Sequence, residues 1–217
     1  PHRFTWFDAT DYRQTARAAA AEATGERILD VFTSALQDSW FDAITLDEIA
    51  RQSGVTMQTV IRRFGSKEGL LEAAQDRFGA EIRQRRSVPV GQAGKAVEAI
   101  IEDYEKVGDL ITRVLAQEER YAPLRSVTDE GRAVHREWVG ATFAPWLNRL
   151  EESTRTAAHD ALVVATDLYV WKLIRRDMKR PKTELAALMR RMIAAALMLP
   201  ESQIFNATPS DVRHVSN

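Results

Sequence analysis

Between Thr45 and Leu71 the chain runs TLDEIARQSGVTMQTVIRRFGSKEGLL, an order of residues that few architectures accept. Leu46, Ile49 and Ala50 recur at helical spacing behind Thr45. Glu48 stands three residues after Thr45, the spacing of a capping box. Ser53-Gly54-Val55 interrupts that helix, and Gly54 can adopt the left-handed conformation that ends it. Thr56 can cap a second short helix, with Val60 and Phe64 as its apolar contacts. Ser66 can cap a third, in which Leu70, Ala74, Phe78 and Ile82 recur every four residues. The stretch is therefore a succession of helices joined by tight turns.

The same periodicity extends through the chain, and strand alternation is hard to find. Upstream, Ile28, Leu29, Phe32, Ala35 and Leu36 give a one-faced helix for which Thr24 is the expected N-cap. The alanine-rich segment before Thr24 is helix-prone but has no large apolar face, so it is a helical extension or a frayed arm. Ser87–Lys95, with one proline and two glycines, is the expected boundary. Beyond it, Val97, Ile100, Ile101 and Tyr104 share a face, and helices follow around Leu110–Leu115 and Val134–Ala141. Residues 119–131 suggest a loop or broken helix, and Pro145 begins or kinks a further helix. Two long helices, about 154–177 and 183–199, complete the chain, separated by Pro181. The expectation is an all-α fold of about nine or more helices. It comprises residues 1–86 as a head with its N-terminal arm, 87–201 as a larger body, and 202–217 as a polar tail.

Composition removes several functions. The 217 residues carry 30 basic and 31 acidic side chains, so the net charge of −1 gives no general attraction for polyanions. Any nucleic-acid surface must be local. There are no cysteines, which excludes disulfides, thiolate nucleophiles and Cys-ligated zinc. No apolar run is long enough to span a bilayer, and the first residues lack the apolar core of a signal peptide. A cytoplasmic location without membrane contact is expected. Zinc-protease, nucleophile-elbow and phosphate-loop motifs are all missing, and the four histidines are scattered. Glu118-Glu119 and Glu151-Glu152 are sequence neighbours that point about 100° apart on a helix, so neither is an acid/base couple. An all-helical enzyme is thus the remote alternative, and no cofactor or metal is expected.

Local charge tells a different story. Arg51, Arg62, Arg63 and Lys67 fall in a stretch without a single carboxylate between the first and the last. Duplex phosphates repel carboxylates and attract cations, so this gap in acidity fits a DNA-binding surface. Two short helices joined by a glycine turn, the second ending in cations, match a helix-turn-helix whose second helix enters the major groove. The segment resembles the DNA-binding signature of TetR-type transcriptional regulators. The resemblance rests on Thr45, Ile49-Ala50, Ser53-Gly54-Val55, Thr56, Thr59, Arg62, Phe64 and Ser66-Lys67-Glu68, and its specific part covers Thr24 to Leu71. It implies a homodimeric repressor with a three-helix DNA head and a helical body that binds a small-molecule effector. A TetR-like activator, or a regulator without a ligand, is the alternative.

Thr45, Thr56 and Lys67 at helix starts are then the expected phosphate contacts. Met57, Gln58 and Thr59 would face base edges, with Gln58 carrying the amide that pairs with adenine. Arg62 and Arg63 would bind phosphate or, for one of them, guanine. Three positions depart from the family pattern: Gln58 where glycine is common, Ile61 where an aromatic is common, and Arg63 where histidine is common. Ile61 cannot make the phosphate hydrogen bond of a tyrosine, and Arg63 could supply a stronger one.

In the body, Leu185, Met189, Met192, Ile193 and Ala196 make one apolar stripe, and Ala158, Leu162, Ala165 and Tyr169 another. These nine residues are the expected dimer surface, two helices from each copy forming a four-helix interface. A dimer suits a palindromic double-stranded operator whose half-sites lie about one DNA turn apart. Tyr104, Arg113, His135, Trp138, Phe143, Asp167 and Trp171 are the candidate effector contacts, aromatic walls with a few polar anchors. Asp167 stands out because a buried carboxylate needs a partner.

Overall fold

The computed structural model describes residues 9–205, with side chains from residue 14 onward. Residues 1–8 and 206–217, which hold His2, His214 and most of the expected tail, lie outside the described residues. The described residues form helices and no strand. Helix α1 spans Ala9–Asp38, and a 3-10 turn follows at Phe41–Ala43. Helices α2 (Leu46–Gln52), α3 (Met57–Phe64) and α4 (Lys67–Arg85) complete the N-terminal part. Then come α5 (Ala93–Leu115), α6 (Ala122–Leu147), α7 (Glu152–Ala165) and α8 (Leu168–Trp171). The last of these passes into a π-helical segment, Lys172–Asp177, before α9 (Lys182–Leu197) and α10 (Glu201–Phe205).

The chain divides into two compact units, Pro1–Asp76 and Arg77–Asn217. The glycine- and proline-bearing stretch 87–95 lies within the second. In the first unit, Ile28, Phe32 and Leu36 of α1 are buried, as are Ile49, Ala50, Val60 and Leu70 of the following helices. Burying such side chains stabilises by roughly 1.5–3 kcal/mol each, enough to hold short helices that would be unstable alone. Thr24 does not start α1. It lies inside the helix, and its hydroxyl donates back to the Ala20 carbonyl at 2.8 Å. The alanine run ahead of it has nothing to stop it, so the helix continues upstream.

The second unit packs α5, α6, α7 and α9 around Ile100, Phe143, Leu162, Trp171, Leu185 and Met189. Three expectations need correction here. Residues 122–147 form one helix, with Pro145 in its last turn. Glu201–Phe205 is a helix whose Ile204 is buried in this core, so the polar tail begins later than residue 202. The long helix expected over 154–177 is broken at Thr166 and Asp167. Thr166 leaves helical geometry (φ −110°, ψ 10°), and the Tyr104 hydroxyl donates to its carbonyl at 3.1 Å. Asp167 then caps α8, its carboxylate accepting from the Tyr169 N–H at 2.8 Å.

Six of the nine residues expected at a partner surface are in the chain's own core. Ala158, Leu162, Ala165, Leu185, Met189 and Ile193 are at most 4% exposed. Side chains already packed on α5 and α6 are not free to meet a second chain. Met192 and Ala196 are half-buried and Tyr169 is exposed.

Candidate nucleic-acid interface

The turn between α2 and α3 is built from local bonds. Gly54 takes φ +66°, and its N–H donates to Arg51 O at 3.3 Å. The Val55 N–H reaches Ala50 O at 3.0 Å, which completes a Schellman closure of α2. From α1, the Arg27 guanidinium donates to Ser53 O at 2.9 Å and fixes the turn from outside. Both expected caps form: Glu48 N–H donates to the Thr45 hydroxyl at 3.3 Å, and Thr59 N–H to the Thr56 hydroxyl at 3.2 Å. Ser66 accepts from Gly69 N–H at 3.2 Å and starts α4. The Glu48 carboxylate is engaged elsewhere, holding Gln52 and Arg51.

Helix α3 has eight residues and buries Val60 completely. At about 100° per residue, Gln58 and Arg62 share the opposite face, with Met57 and Ile61 beside them. Met57 is 46% exposed, and Gln58 and Arg62 are exposed. Thr59 is half-buried, and its hydroxyl pairs with that of Thr56 at 3.0 Å.

The four cations are not equivalent. Arg51 is clamped to Glu48 by two hydrogen bonds, at 2.8 and 2.5 Å. That guanidinium, first among the causes, holds the exposed Glu48 carboxyl down to about 2. The Lys67 ammonium donates to the carbonyls of Phe41 (2.8 Å) and Ile44 (3.0 Å) and stands over the Phe41 ring. One of its three hydrogens is left. The Arg63 guanidinium reaches back to α1, to Ala21 O (2.8 Å) and the Glu22 carboxylate (2.7 Å). Among the described residues, Arg62 alone of the four makes no hydrogen bond or ion pair. Charge counting along the sequence missed these engagements because Glu22, Phe41 and Ile44 are distant in the chain.

Residues 34–74 match the sequence model of bacterial regulatory proteins of the tetR family. The matched stretch runs from the end of α1 into α4 and takes in the turn between α2 and α3. Solved structures agree on the fold. A protein from Rhodococcus sp. assigned as a TetR-family transcriptional regulator superposes with a TM-score of 0.62 at 14% identity, over 81% of this chain and 99% of that one. The fatty acid degradation regulator FadR from Bacillus halodurans gives 0.53 at 17% identity, over 80% and 94%. No curated protein sequence matches the chain. Among the described residues, no helix is long and apolar enough to cross a membrane.

The body's candidate effector residues separate into two sets. Phe143 packs on Trp146 in the core, and Arg113 sits half-buried in the last turn of α5. The others gather around the helix break. His135 stacks on Trp138 and has its Nε2 3.3 Å from the Thr166 hydroxyl. Its Nδ1 is buried without a partner. Burial, ahead of the nearby Arg86 charge, lowers the His135 pKa to about 4, so the ring is neutral near pH 7. Tyr104, whose ionisation burial pushes upward, bonds to Thr166 and lies under Arg86. Burial raises the Asp167 pKa, although the Tyr169 N–H it accepts works the other way. Trp171 donates its indole N–H to Glu105 at 2.9 Å. Sequence reasoning missed Thr166, Asp103 and Arg86. The last two are a buried ion pair at 2.6 Å, to which Trp138 is tied by donating to Arg86 O.

Proposed function

We propose that this chain is a DNA-binding transcription regulator of the TetR family, a homodimeric repressor whose α3 reads one operator half-site through Met57, Gln58 and Arg62 and which a small-molecule effector releases. The observation that carries the reading is the Gln58–Arg62 face, which is exposed, cationic and free of internal ion pairs. Gln58 has the amide for a bidentate contact to adenine, Met57 an apolar end for a thymine methyl, and Arg62 the fork for guanine or phosphate. Thr45, Thr56 and the remaining hydrogen of Lys67 lie at helix starts and complete a set of backbone contacts.

Partner contact is assigned to the faces of α7 and α9 that the core leaves uncovered. Ala157, Ala161 and Val164 are exposed on α7, and Ala187 and Ala195 on α9, with Leu188 and Met192 half-buried. Small residues let two such helix pairs approach closely in a two-fold bundle. The effector contact is assigned to the group around His135, where an unpaired ring nitrogen stands among aromatic walls.

The test is binding to a selected operator duplex across salt concentrations. Arg62→Ala should reduce the slope of log affinity against log salt by roughly one unit per contact if it holds phosphate. Gln58→Ala should instead flatten discrimination at one base pair with an unchanged slope. If both variants bind every duplex as the parent does, α3 is not the reading helix.

A further inference from the structure

We infer that Arg63 positions the reading helix by locking it to α1 across Gly25, rather than serving as a phosphate ligand; this rests on the DNA-reading role of α3. Arg63 lies about 140° round α3 from Gln58, on the flank that leads to the buried Val60. From there its guanidinium crosses to α1 and makes two bonds with different atoms, one backbone carbonyl and one carboxylate. A surface ion pair alone would be weak evidence of a built contact. Gly25 makes the case stronger.

Gly25 is buried in the interior of α1, where glycine weakens a helix relative to alanine. A Cβ there would sit 2.2 Å from Arg63 Nε and 2.3 Å from both Cζ and Nη2. The guanidinium therefore occupies the space that any other side chain would fill. The missing methyl group and the arginine are two halves of one contact. Lysine cannot replace it, since a single ammonium has no planar fork to reach Ala21 O and Glu22 together. Helix α3 otherwise packs mainly on α2. The tie to α1 fixes its rotation about its own axis, and that rotation decides where Gln58 and Arg62 point.

Four variants test this: Arg63→Ala, Arg63→Lys, Gly25→Ala and the double Gly25→Ala/Arg63→Ala. Binding is measured by fluorescence anisotropy over a range of salt, on the selected operator and on a random duplex of equal length. Each single variant should lose roughly five- to tenfold in operator affinity, with the random duplex bound as before and the salt slope unchanged. The double variant should be no worse than either single one, because both remove the same contact. Arg63→Lys should not rescue. A salt slope reduced by roughly one unit, with operator and random duplex weakened alike, would make Arg63 a phosphate ligand and overturn the inference. So would a Gly25→Ala protein that binds as the parent does, or losses that add in the double variant. Thermal unfolding of the same four proteins without DNA provides a reading independent of operator binding. Non-additive melting shifts are expected, and additive ones sink the tie. Should the parent bind no duplex at all, it is the DNA-reading assignment that fails, while the melting shifts still decide whether the tie exists.

Discussion

Replacing Asp103 should be among the most damaging changes available in the second unit. Its carboxylate is fully buried on α5 and accepts from Arg85 Nε and Arg86 Nε, each at 2.6 Å. The Arg86 side chain is 8% exposed and that of Arg85 is 22% exposed. Asp103→Leu would keep most of the volume and remove the charge. Arg85 has Glu81 at 3.1 Å to fall back on. Arg86 has the Tyr104 ring at 4.8 Å, a contact that is weak beside a lost carboxylate. Most of the cost therefore falls on Arg86, left as a buried cation, and breaking such a pair from one side typically costs about 3–5 kcal/mol. Asp103→Asn, which preserves shape and one acceptor, should cost about 2 kcal/mol. The assay is urea unfolding at fixed protein concentration, followed by tryptophan emission, since Trp138 donates directly to Arg86 O. The double change Asp103→Leu/Arg86→Met should recover part of the loss, because an apolar pair needs no desolvation of charge. A loss below about 1 kcal/mol for Asp103→Leu, or no recovery in the double variant, would refute the claim that this pair acts as a buried lock.

Other outcomes follow from the same structure. His135 has its pKa lowered from 6.5 to about 4 in the folded chain, so the unfolded chain binds the proton first as the pH falls. Stability should be complete above about pH 6.5 and decline towards pH 4, by about 1.4 kcal/mol per unit within that window. His135→Gln should flatten the decline between pH 6.5 and 4.5. Below that range, carboxylates held down by arginine partners, Glu105 by Arg175 and Glu118 by Arg132, add their own losses. For the proposed dimer, Ala161→Glu or Leu188→Glu on the exposed face of α7 and α9 should halve the mass seen by light scattering to one 24.5 kDa chain, with unchanged helicity. A dimer that survives both changes would place its interface elsewhere.

Much of the head could be read from the sequence because its determinants are local. A threonine before a short apolar period, a glycine after it and a second threonine two residues on are backbone requirements, met wherever the chain goes. Thr45, Gly54, Thr56 and Ser66 each make the bond their position implies. The break at Thr166 was hidden for the opposite reason. Leu162, Ala165, Leu168 and Trp171 keep helical spacing across it, so periodicity continues while the backbone does not. At the break the Thr166 carbonyl accepts from the hydroxyl of Tyr104, 62 residues away. Asp167 stood out in sequence as a carboxylate in need of a partner, and it has one in the Tyr169 N–H it caps. The body's apolar stripes misled in the same manner. Two-sided periodicity shows that a helix is covered on both sides but not which cover is its own chain, and the own core took Leu185, Met189 and Ile193.

The cationic stretch shows how far a charge count can reach. It points to the surface proposed for DNA, since no carboxylate lies between Arg51 and Lys67 to oppose a phosphate. It overstates the number of charges on offer, because an arginine is available to a ligand only if nothing nearer has claimed its fork. Glu48 claims Arg51 from three residues upstream, within reach of a local argument. Glu22 claims Arg63 from 41 residues away, and the carbonyls of Phe41 and Ile44 claim two hydrogens of Lys67. What remains is Arg62, one turn beyond Gln58 on the same face. On the proposed DNA-reading role, a head that keeps one unpaired arginine beside one amide relies less on bulk attraction and more on where α3 is held. That places the burden of specificity on the residues that hold it, Arg27 on the turn and Arg63 across Gly25.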